Sequence, residues 1–330
     1  MDELVRAASS ELLGGGVVVL PTETVYGLAA NALDQSAVAR IFEIKGRPLA
    51  DPLIVHVLDG SWVRRYADIG SSRDADRVRK IVDAFWPGPL TMVLPRAKII
   101  PNVVTAGLGT VAVRCPRHTL FQAVLRVIDL PLAAPSANPF GYVSPTSAEQ
   151  VRKTLGAKVG TIIDGGRCAV GLESTILDLA HEFPKILRPG AVTAAEISSI
   201  LGEEVIGGED SIVSAVPNAP GQLKQHYCTH TQLILFANGE RRLELSPNGK
   251  VAVIFNGKPL NFAPSGEGVD VFWLSDVGEL DVMAKNLFAT LQTIDGRNYD
   301  KIFCERPIRS GIGVAIDDRL LRAAAKFIPR

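Results

Sequence analysis

The chain has no paired cysteines, no surplus of charge and no long apolar run, and each absence removes a class of protein. Its four cysteines, Cys115, Cys168, Cys228 and Cys304, lie far apart with no CxxC pair. That argues against a zinc ribbon or a disulfide framework and points to a reducing compartment. Lysine plus arginine number 35, as do aspartate plus glutamate, so no global field draws the protein to nucleic acid or to an anionic membrane. Any phosphate binding is therefore local. No apolar stretch approaches the length of a membrane span, and MDELVRAASS carries acids where a signal peptide carries a basic region. A cytoplasmic location without membrane contact is expected. Walker A and GxGxxG glycine loops are missing too, so a bound nucleotide would use another scaffold.

What is present suits two α/β domains. With 330 residues, 47% of them hydrophobic, the chain can bury a sizeable core and divide it. Leu4, Val5, Ala8, Leu12 and Leu13 recur at helical spacing, and Gly14, Gly15 and Gly16 stop that helix before the apolar strand VVVL. In SAVARIFEIKGR, Ser36 is expected to cap a helix whose inner face holds Val38, Ile41 and Phe42. Strands are expected at PLIVHVL, PLTMVLP, TVAVRCP, PLAAPSA and GTIIDGG, with a helix at TLFQAVLRVI. The mixture indicates an α/β sandwich and not a helical bundle. Gly, Pro and Asn then accumulate without periodicity in GGEDSIVSAVPNAPGQLKQHY. Residues 208–231 accordingly read as a linker between a domain at 1–207 and a smaller one at 232–330. In the second domain QLILF, KVAVIF, VDVFWL and DKIFC read as strands, with helices at ELDVMAKNLFATLQTI and DDRLLRAAAKF. Apolar strands of this kind predict a Rossmann-like parallel sheet covered on both faces.

Several short segments carry groups able to do chemistry. PTETVYGL follows a strand directly, and Thr22, Glu23, Thr24 and Tyr26 either face a ligand crevice or finish a strand edge. In KGRPLADPLIVH, Lys45 and Arg47 stand two residues apart at a helix end. The helix dipole alone favours cations there, but a proline-stiffened exit holding both out from one loop also suits a polyphosphate, which Arg47 can grip bidentately. His56 lies in an apolar strand, where a lone histidine is more often a satisfied buried residue than a catalytic one. Arg114 ends the strand of TVAVRCP and needs a counter-charge, from a substrate carboxylate or equally from a structural acid. Ser136, Asn138 and Ser144 crowd between prolines in APSANPFGYVSPTS, which is neither helix nor central strand. IIDGG and GLESTILDL set Ser174 and Thr175 at a strand start, and LRPG fixes Arg188 before Pro189. Singly, each of these is common turn chemistry. His226, Cys228 and His230 alternate and would share one face of an extended strand as metal ligands, but no fourth ligand is evident.

Taken in order, PTETVYGL, KGRPLADPLIVH, WPGPLT, TVAVRCP, APSAN, DGG, ESTILD and LRPG resemble the YrdC-like family of threonylcarbamoyl-AMP synthases over roughly residues 10–207. PGQLKQHY and GIGVAIDDRLLRAAA resemble the two-domain form of that family. The resemblance implies a YrdC-like twisted mixed sheet with flanking helices, followed by the Rossmann-like domain. It also implies roles. Thr24, His56, Arg114, Ala134 and Ser174 fall where the family contacts L-threonine. Arg47, Asp51, Thr110, Ser136, Asn138, Ser144, Arg188 and Tyr227 fall where it contacts ATP, with Lys45 and Arg47 the catalytic cations at the phosphates. Two positions depart from the family pattern: HYCT stands where histidine-tyrosine-alanine-proline is usual, and Asp51 where many relatives carry asparagine.

The implied reaction joins L-threonine and bicarbonate into a carbamate that attacks the α-phosphorus of ATP and expels pyrophosphate, with Mg2+ held mainly by the phosphates. Its product would serve threonylcarbamoyladenosine modification next to the tRNA anticodon by way of downstream transfer proteins, without a stable nucleic-acid complex of this chain. The linker would cross the mouth of the site and bring Tyr227 over it. Two alternatives stay open: a YrdC-like RNA-binding module that makes no adenylate, and a carbamoyl-transferring enzyme of the kind found in larger maturation proteins, whose zinc-finger and acylphosphatase-like modules are not found here.

Overall fold

The computed structural model describes residues 2–207, 226–240, 249–259 and 268–324. Of the expected linker, residues 208–225 thus lie outside the described residues. The first domain opens with α1 (Asp2–Leu13), β1 (Val18–Leu20), β2 (Gly27–Asn31), α2 (Gln35–Lys45) and β3 (Ile54–His56). It continues with α3 (Val63–Tyr66), α4 (Ser72–Phe85), β4 (Leu90–Pro95), α5 (Asn102–Thr105), β5 (Thr110–Arg114) and α6 (Thr119–Ile128). β6 (Leu132–Ala133), α7 (Ala148–Leu155), β7 (Thr161–Ile162), β8 (Thr175–Asp178), β9 (Lys185–Arg188) and α8 (Ala194–Leu201) complete it.

These strands form one mixed sheet in the order β7-β1-β2-β6-β3-β5-β4-β8-β9. β1 with β7, β3 with β5 and β4 with β8 run parallel, and the other neighbours antiparallel. β2 is hidden in GLAANA, because glycine and alanine are poor strand formers; its pairing with β1 makes PTETVY a hairpin loop. Asp34, and not Ser36, caps α2: its carboxylate accepts the backbone N–H groups of Ser36 and Ala37. The two residue types cap about equally well, and the turn at residues 32–33 delivers Asp34 first.

Alternation along the strands decides which face does what. On one face α2, α4, α7 and α8 bring Ile41, Ile81, Val151 and Ile197 onto Val19, Leu28, Val55, Met92, Val113 and Leu177. On the other, α1 and α6 cover Val18, Leu20, Ala29 and Leu132. The rest of that second face carries Ile54, Val93, Ala112 and Ile176. His56 and Arg114, two positions on from Ile54 and Ala112, point the same way.

The second domain contains β10 (Gln232–Phe236), β11 (Val251–Gly257), β12 (Val269–Ser275), α9 (Leu280–Asp295), β13 (Lys301–Glu305) and α10 (Gly313–Ala324). Its strands are all parallel, in the order β10-β13-β11-β12. Leu233, Ala252, Ile254, Ile302 and Cys304 face α9 and α10, while Phe236, Val251, Val253 and Phe255 form the opposite face. Among the described residues both helices lie on the first face. That cluster does not stop at the domain boundary: it takes in Val25, Tyr142, Val143, Leu172 and Tyr227. α9 comes so near Gly171 that a Cβ there would sit 2.5 Å from Lys285 Cα, and Gly171 has a φ of +82°. Only glycine meets both conditions. No helix of the described residues is long and apolar enough to cross a membrane.

Candidate active site

The PTETVYGL loop folds around a hydroxyl. Thr22 Oγ1 accepts the backbone N–H groups of Thr24 and Val25 and donates to the Val25 carbonyl at 2.6 Å, a turn that hydroxyl residues favour. Thr24 and Val25 are thereby set into the wall of a cavity. Tyr26 reaches elsewhere, donating to the Gly166 carbonyl and accepting the Gly165 N–H, which ties DGG to this loop.

Arg114 organises one end of the cavity. Its Nε donates to the Gly88 carbonyl at 3.2 Å, its Nη1 to Thr24 Oγ1 at 2.9 Å, and its Nη2 pairs with Glu23 Oε1 at 2.7 Å. The counter-charge that the strand end requires is therefore a structural acid, supplied by the PTETVYGL loop. A substrate carboxylate would share the arginine with it. His56 is Arg114's partner in the register between β3 and β5. Burial, aided by the charge of Arg114, pushes the His56 pKa down to about 3. The ring is thus neutral near pH 7, with Nδ1 3.2 Å from the Ile54 carbonyl.

Lys45 and Arg47 do not project from a loop as the sequence suggests; both fold inward. Lys45 closes α2 and donates to the carbonyls of Ser136 at 2.5 Å and Asn138 at 2.6 Å, which ties the KGR and SAN segments together. Burial first, then the nearby Arg47, holds its pKa well below the usual lysine range, with Asp51 opposing. Arg47 donates to the carbonyls of Asp51 and Pro52 and pairs with Asp51 Oδ2 at 2.8 Å. Burial raises the Asp51 pKa against the pull of Arg47, Lys45 and Arg188. Its Oδ1 accepts no hydrogen bond among the described residues.

Across the cavity Ser144 donates its hydroxyl to Glu173 Oε1 at 2.6 Å. Its one hydrogen is committed, which leaves the hydroxyl only acceptor capacity. Ser174 Oγ bonds to Thr91 Oγ1 at 2.7 Å, and Arg188 donates to both the carbonyl and the hydroxyl of Ser174. Asn138 spends its side-chain amide on the carbonyls of Pro139 and Tyr142. The cavity itself is lined by Thr24, Arg47, His56, Arg114, Ala134, Ser136, Ser174, Arg188 and Tyr227 among the residues marked in the sequence. Lys45, Asp51 and Ser144 stand behind that lining, bonded to Ser136, Arg47 and Glu173. Thr110 lies apart, at the far end of β5 from Arg114 and opposite Pro95. Glu173 and His226 also line the cavity. The sequence gives Glu173 only as the acid before Ser174 in ESTILD, and His226 as half of HY and as one of three alternating candidate metal ligands, not as a cavity residue.

Tyr227 closes the space. Its φ of +66° is rare for a bulky residue, and it breaks the extended run that would align His226, Cys228 and His230. His226 packs against the rings of Phe140 and Tyr227, Cys228 bridges to Tyr142, and His230 Nδ1 bonds to Asp295 Oδ2. Among the described residues no three His, Cys, Asp or Glu gather to hold a metal ion. The Tyr227 ring stacks on Phe288 of α9 at 5.5 Å, fully buried, and its hydroxyl has no hydrogen-bond partner among the described residues. The cavity left beside it is about 50 Å³, whereas pockets for drug-sized ligands run to roughly 300–1,000 Å³.

Two family models match the chain end to end. The Sua5, YciO and YrdC model, described as "Telomere recombination", covers residues 10–190, and the C-terminal domain of threonylcarbamoyl-AMP synthase covers residues 192–325. The chain belongs to the threonylcarbamoyl-AMP synthase family. The threonylcarbamoyl-AMP synthase of Pyrococcus abyssi is 37% identical over 327 residues, covering 97% of this chain and 94% of the relative. That of Bacillus subtilis is 35% identical over 336 residues, covering 100% and 95%. The crystal structure of P. abyssi Sua5 complexed with L-threonine aligns with a TM-score of 0.84 at 36% identity, over 97% of this chain and 94% of that one. The match spans both domains, as the resemblance of the motifs predicts.

Proposed function

We propose that the chain is an L-threonylcarbamoyladenylate synthase, forming threonylcarbamoyl-AMP and pyrophosphate from L-threonine, bicarbonate and ATP. The observation that carries this reading is the convergence of Arg47, Arg114 and Arg188 on one cavity, with Lys45 directly behind it. Buried cations call for anions, and these substrates bring a carboxylate and a triphosphate. The P. abyssi relative was solved with L-threonine, which supports that substrate here.

On this reading Thr24, His56, Arg114, Ala134 and Ser174 surround threonine. Arg114, fixed in orientation by Gly88, Thr24 and Glu23, takes the carboxylate, and neutral His56 adds polar contact without charge. The threonine amine forms a C–N bond to the carbon of bicarbonate as a C–O bond breaks, the lost oxygen leaving as water with a proton from the amine. An oxygen of the resulting carbamate attacks the α-phosphorus. The new P–O bond forms as the bond to pyrophosphate breaks, and pyrophosphate leaves with the electron pair. Lys45, Arg47 and Arg188 stabilise charge on the phosphates, while Ser136 and Tyr227 position the nucleotide from the lining and Asp51, Asn138 and Ser144 support it from behind. Thr110, at the far end of β5, is not brought to this cavity. No covalent intermediate is required, and Ser174 Oγ is bonded to Thr91 and Arg188, with no hydrogen bond to an imidazole among the described residues.

The residues present suit magnesium carried in on the nucleotide more than a protein-built cage, since Asp51 Oδ1 is the unbonded carboxylate oxygen beside Arg47. When bound, the ion would neutralise phosphate charge. The cations of the site are buried and not spread over a surface, which speaks against the RNA-binding alternative. The product passes to transfer proteins and tRNA, with no stable nucleic-acid complex of this chain, and four buried cysteines without a disulfide suit a cytoplasmic setting.

Pyrophosphate release from ATP and magnesium tests the reading. Release that needs both L-threonine and bicarbonate, and is lost in Arg47→Ala, supports it. Folded wild-type protein that releases none with every component present refutes it.

A further inference from the structure

Glu173 lines the cavity, yet the chemistry above gives it no task. Its side chain is 8% exposed and both oxygens are engaged: Oε1 by the Ser144 hydroxyl at 2.6 Å and Oε2 by Arg319 Nε at 2.9 Å. Arg319 comes from the other domain. It stands on α10, is fully buried, and its guanidinium carbon lies 5.3 Å from the centre of the Tyr227 ring. Nη1 is anchored to Asp318 at 2.7 Å.

An arginine removed from water is costly to hold unless its partners compensate it, and removing one member of such a pair strands the other charge. Here the charge that would be stranded is a carboxylate in the wall of the cavity that takes the nucleotide. A polyphosphate entering beside an unpaired Glu173 would be repelled, and in a buried site such repulsion is little screened. The same wall is braced twice more from the second domain. Gln292 of α9 donates to the carbonyls of Val143 and Ser144, and α9 itself presses on Gly171, two residues before Glu173.

We propose that Arg319 of the C-terminal domain is a positioning residue for the nucleotide side of the site, acting through Glu173, whose charge it neutralises and whose bond to Ser144 it maintains. The proposal rests on the synthase reading. The C-terminal domain is thereby part of the substrate-binding machinery: it supplies the cation bonded directly to Glu173, while Arg188 of the first domain adds a second positive charge that this carboxylate feels.

The test is steady-state pyrophosphate release by the full chain, with ATP and L-threonine varied in turn. Arg319→Met is expected to raise the ATP KM at least about tenfold while the threonine KM stays within about twofold. Arg319→Lys, which keeps the charge but not the fork, falls between. The deciding variant is Arg319→Met combined with Glu173→Gln: with the carboxylate gone, most of the loss in ATP KM is recovered. A contact that merely holds the fold would be worsened by the second change. An unchanged ATP KM in folded Arg319→Met, or a double variant no better than the single, overturns the proposal. Should Arg319→Met not fold, Arg319→Lys decides, since equal rises in both KM values overturn it. A silent wild-type protein overturns the synthase reading and this proposal with it, whereas an active wild type with indifferent variants overturns this proposal alone.

Discussion

Arg114 and Glu23 meet at 2.7 Å beneath the cavity, their side chains 4% and 8% exposed. The strand end that supplies the cation and the hairpin loop that supplies the acid are far apart in sequence, and the pair fixes one against the other. Glu23→Gln leaves the guanidinium buried without its counter-charge and should lower unfolding stability by about 3 kcal/mol, measured by denaturant titration. Arg114→Lys keeps the charge but cannot reach Gly88, Thr24 and Glu23 together. It should raise the threonine KM and leave the ATP KM nearly untouched.

His56 should make the protein acid-labile in a defined window. Its pKa is pushed down to about 3 in the fold from an ordinary 6.5. Between those values the unfolded chain binds a proton that the folded chain does not, so stability falls as pH drops from 6.5 towards 3, by up to about 1.4 kcal/mol per pH unit. His226, also held neutral by burial, adds to the same trend. Thermal midpoints of wild type and His56→Gln across pH 7 to 4 should converge on acidification, and a constant gap would count against the assignment.

Lys45 should take up a proton when the nucleotide binds. Burial holds its pKa well below 10.5, and an arriving phosphate favours the charged form. Binding heats measured over a series of pH values in buffers of different ionisation enthalpy should show uptake that grows as pH rises for wild type and less of it for Lys45→Met. Equal uptake in both would place the proton elsewhere.

Gly171→Ala should damage the seating of α9. The added methyl would lie 2.5 Å from Lys285 Cα at a residue with φ of +82°. Strain and overpacking together suggest a loss of roughly 2–4 kcal/mol. Thermal unfolding reads it directly, and a midpoint within a degree of wild type would show that the helix yields freely.

The architecture was legible where apolar runs were long and punctuated. VVVL, PLTMVLP, TVAVRCP and all four strands of the second sheet stand where the pattern puts them. β2 was not legible, since Gly-Leu-Ala-Ala has neither alternation nor branched side chains. α4 went unread although Val78, Ile81, Val82 and Phe85 are spaced for a helix and Ser71 caps it. At the site, the motifs marked the lining well, but they could not show direction. Lys45 turns inward because carbonyls of a distant segment, those of Ser136 and Asn138, accept from it, which no local pattern encodes. Arg47 turns in on the carbonyls of Asp51 and Pro52, only four and five residues on. Arg114's need for a counter-charge was readable; that Glu23 meets it depends on the hairpin formed by the unread strand. Tyr227 likewise combines a positive φ with a ring stacked on Phe288, a contact between segments far apart in the chain.

The apolar cluster that joins Val25, Leu172 and Tyr227 to Phe288 and Leu320 crosses the division between the two sheets. Topology separates two domains there, but heat has no such seam to open. Neither half can melt without stripping the other's interior, so calorimetry should see one cooperative endotherm. The wall around the cavity then derives its stiffness from helices that contribute nothing to the sheet beneath it. Variation in α9 or α10 would accordingly surface as altered chemistry well before it surfaced as visible unfolding.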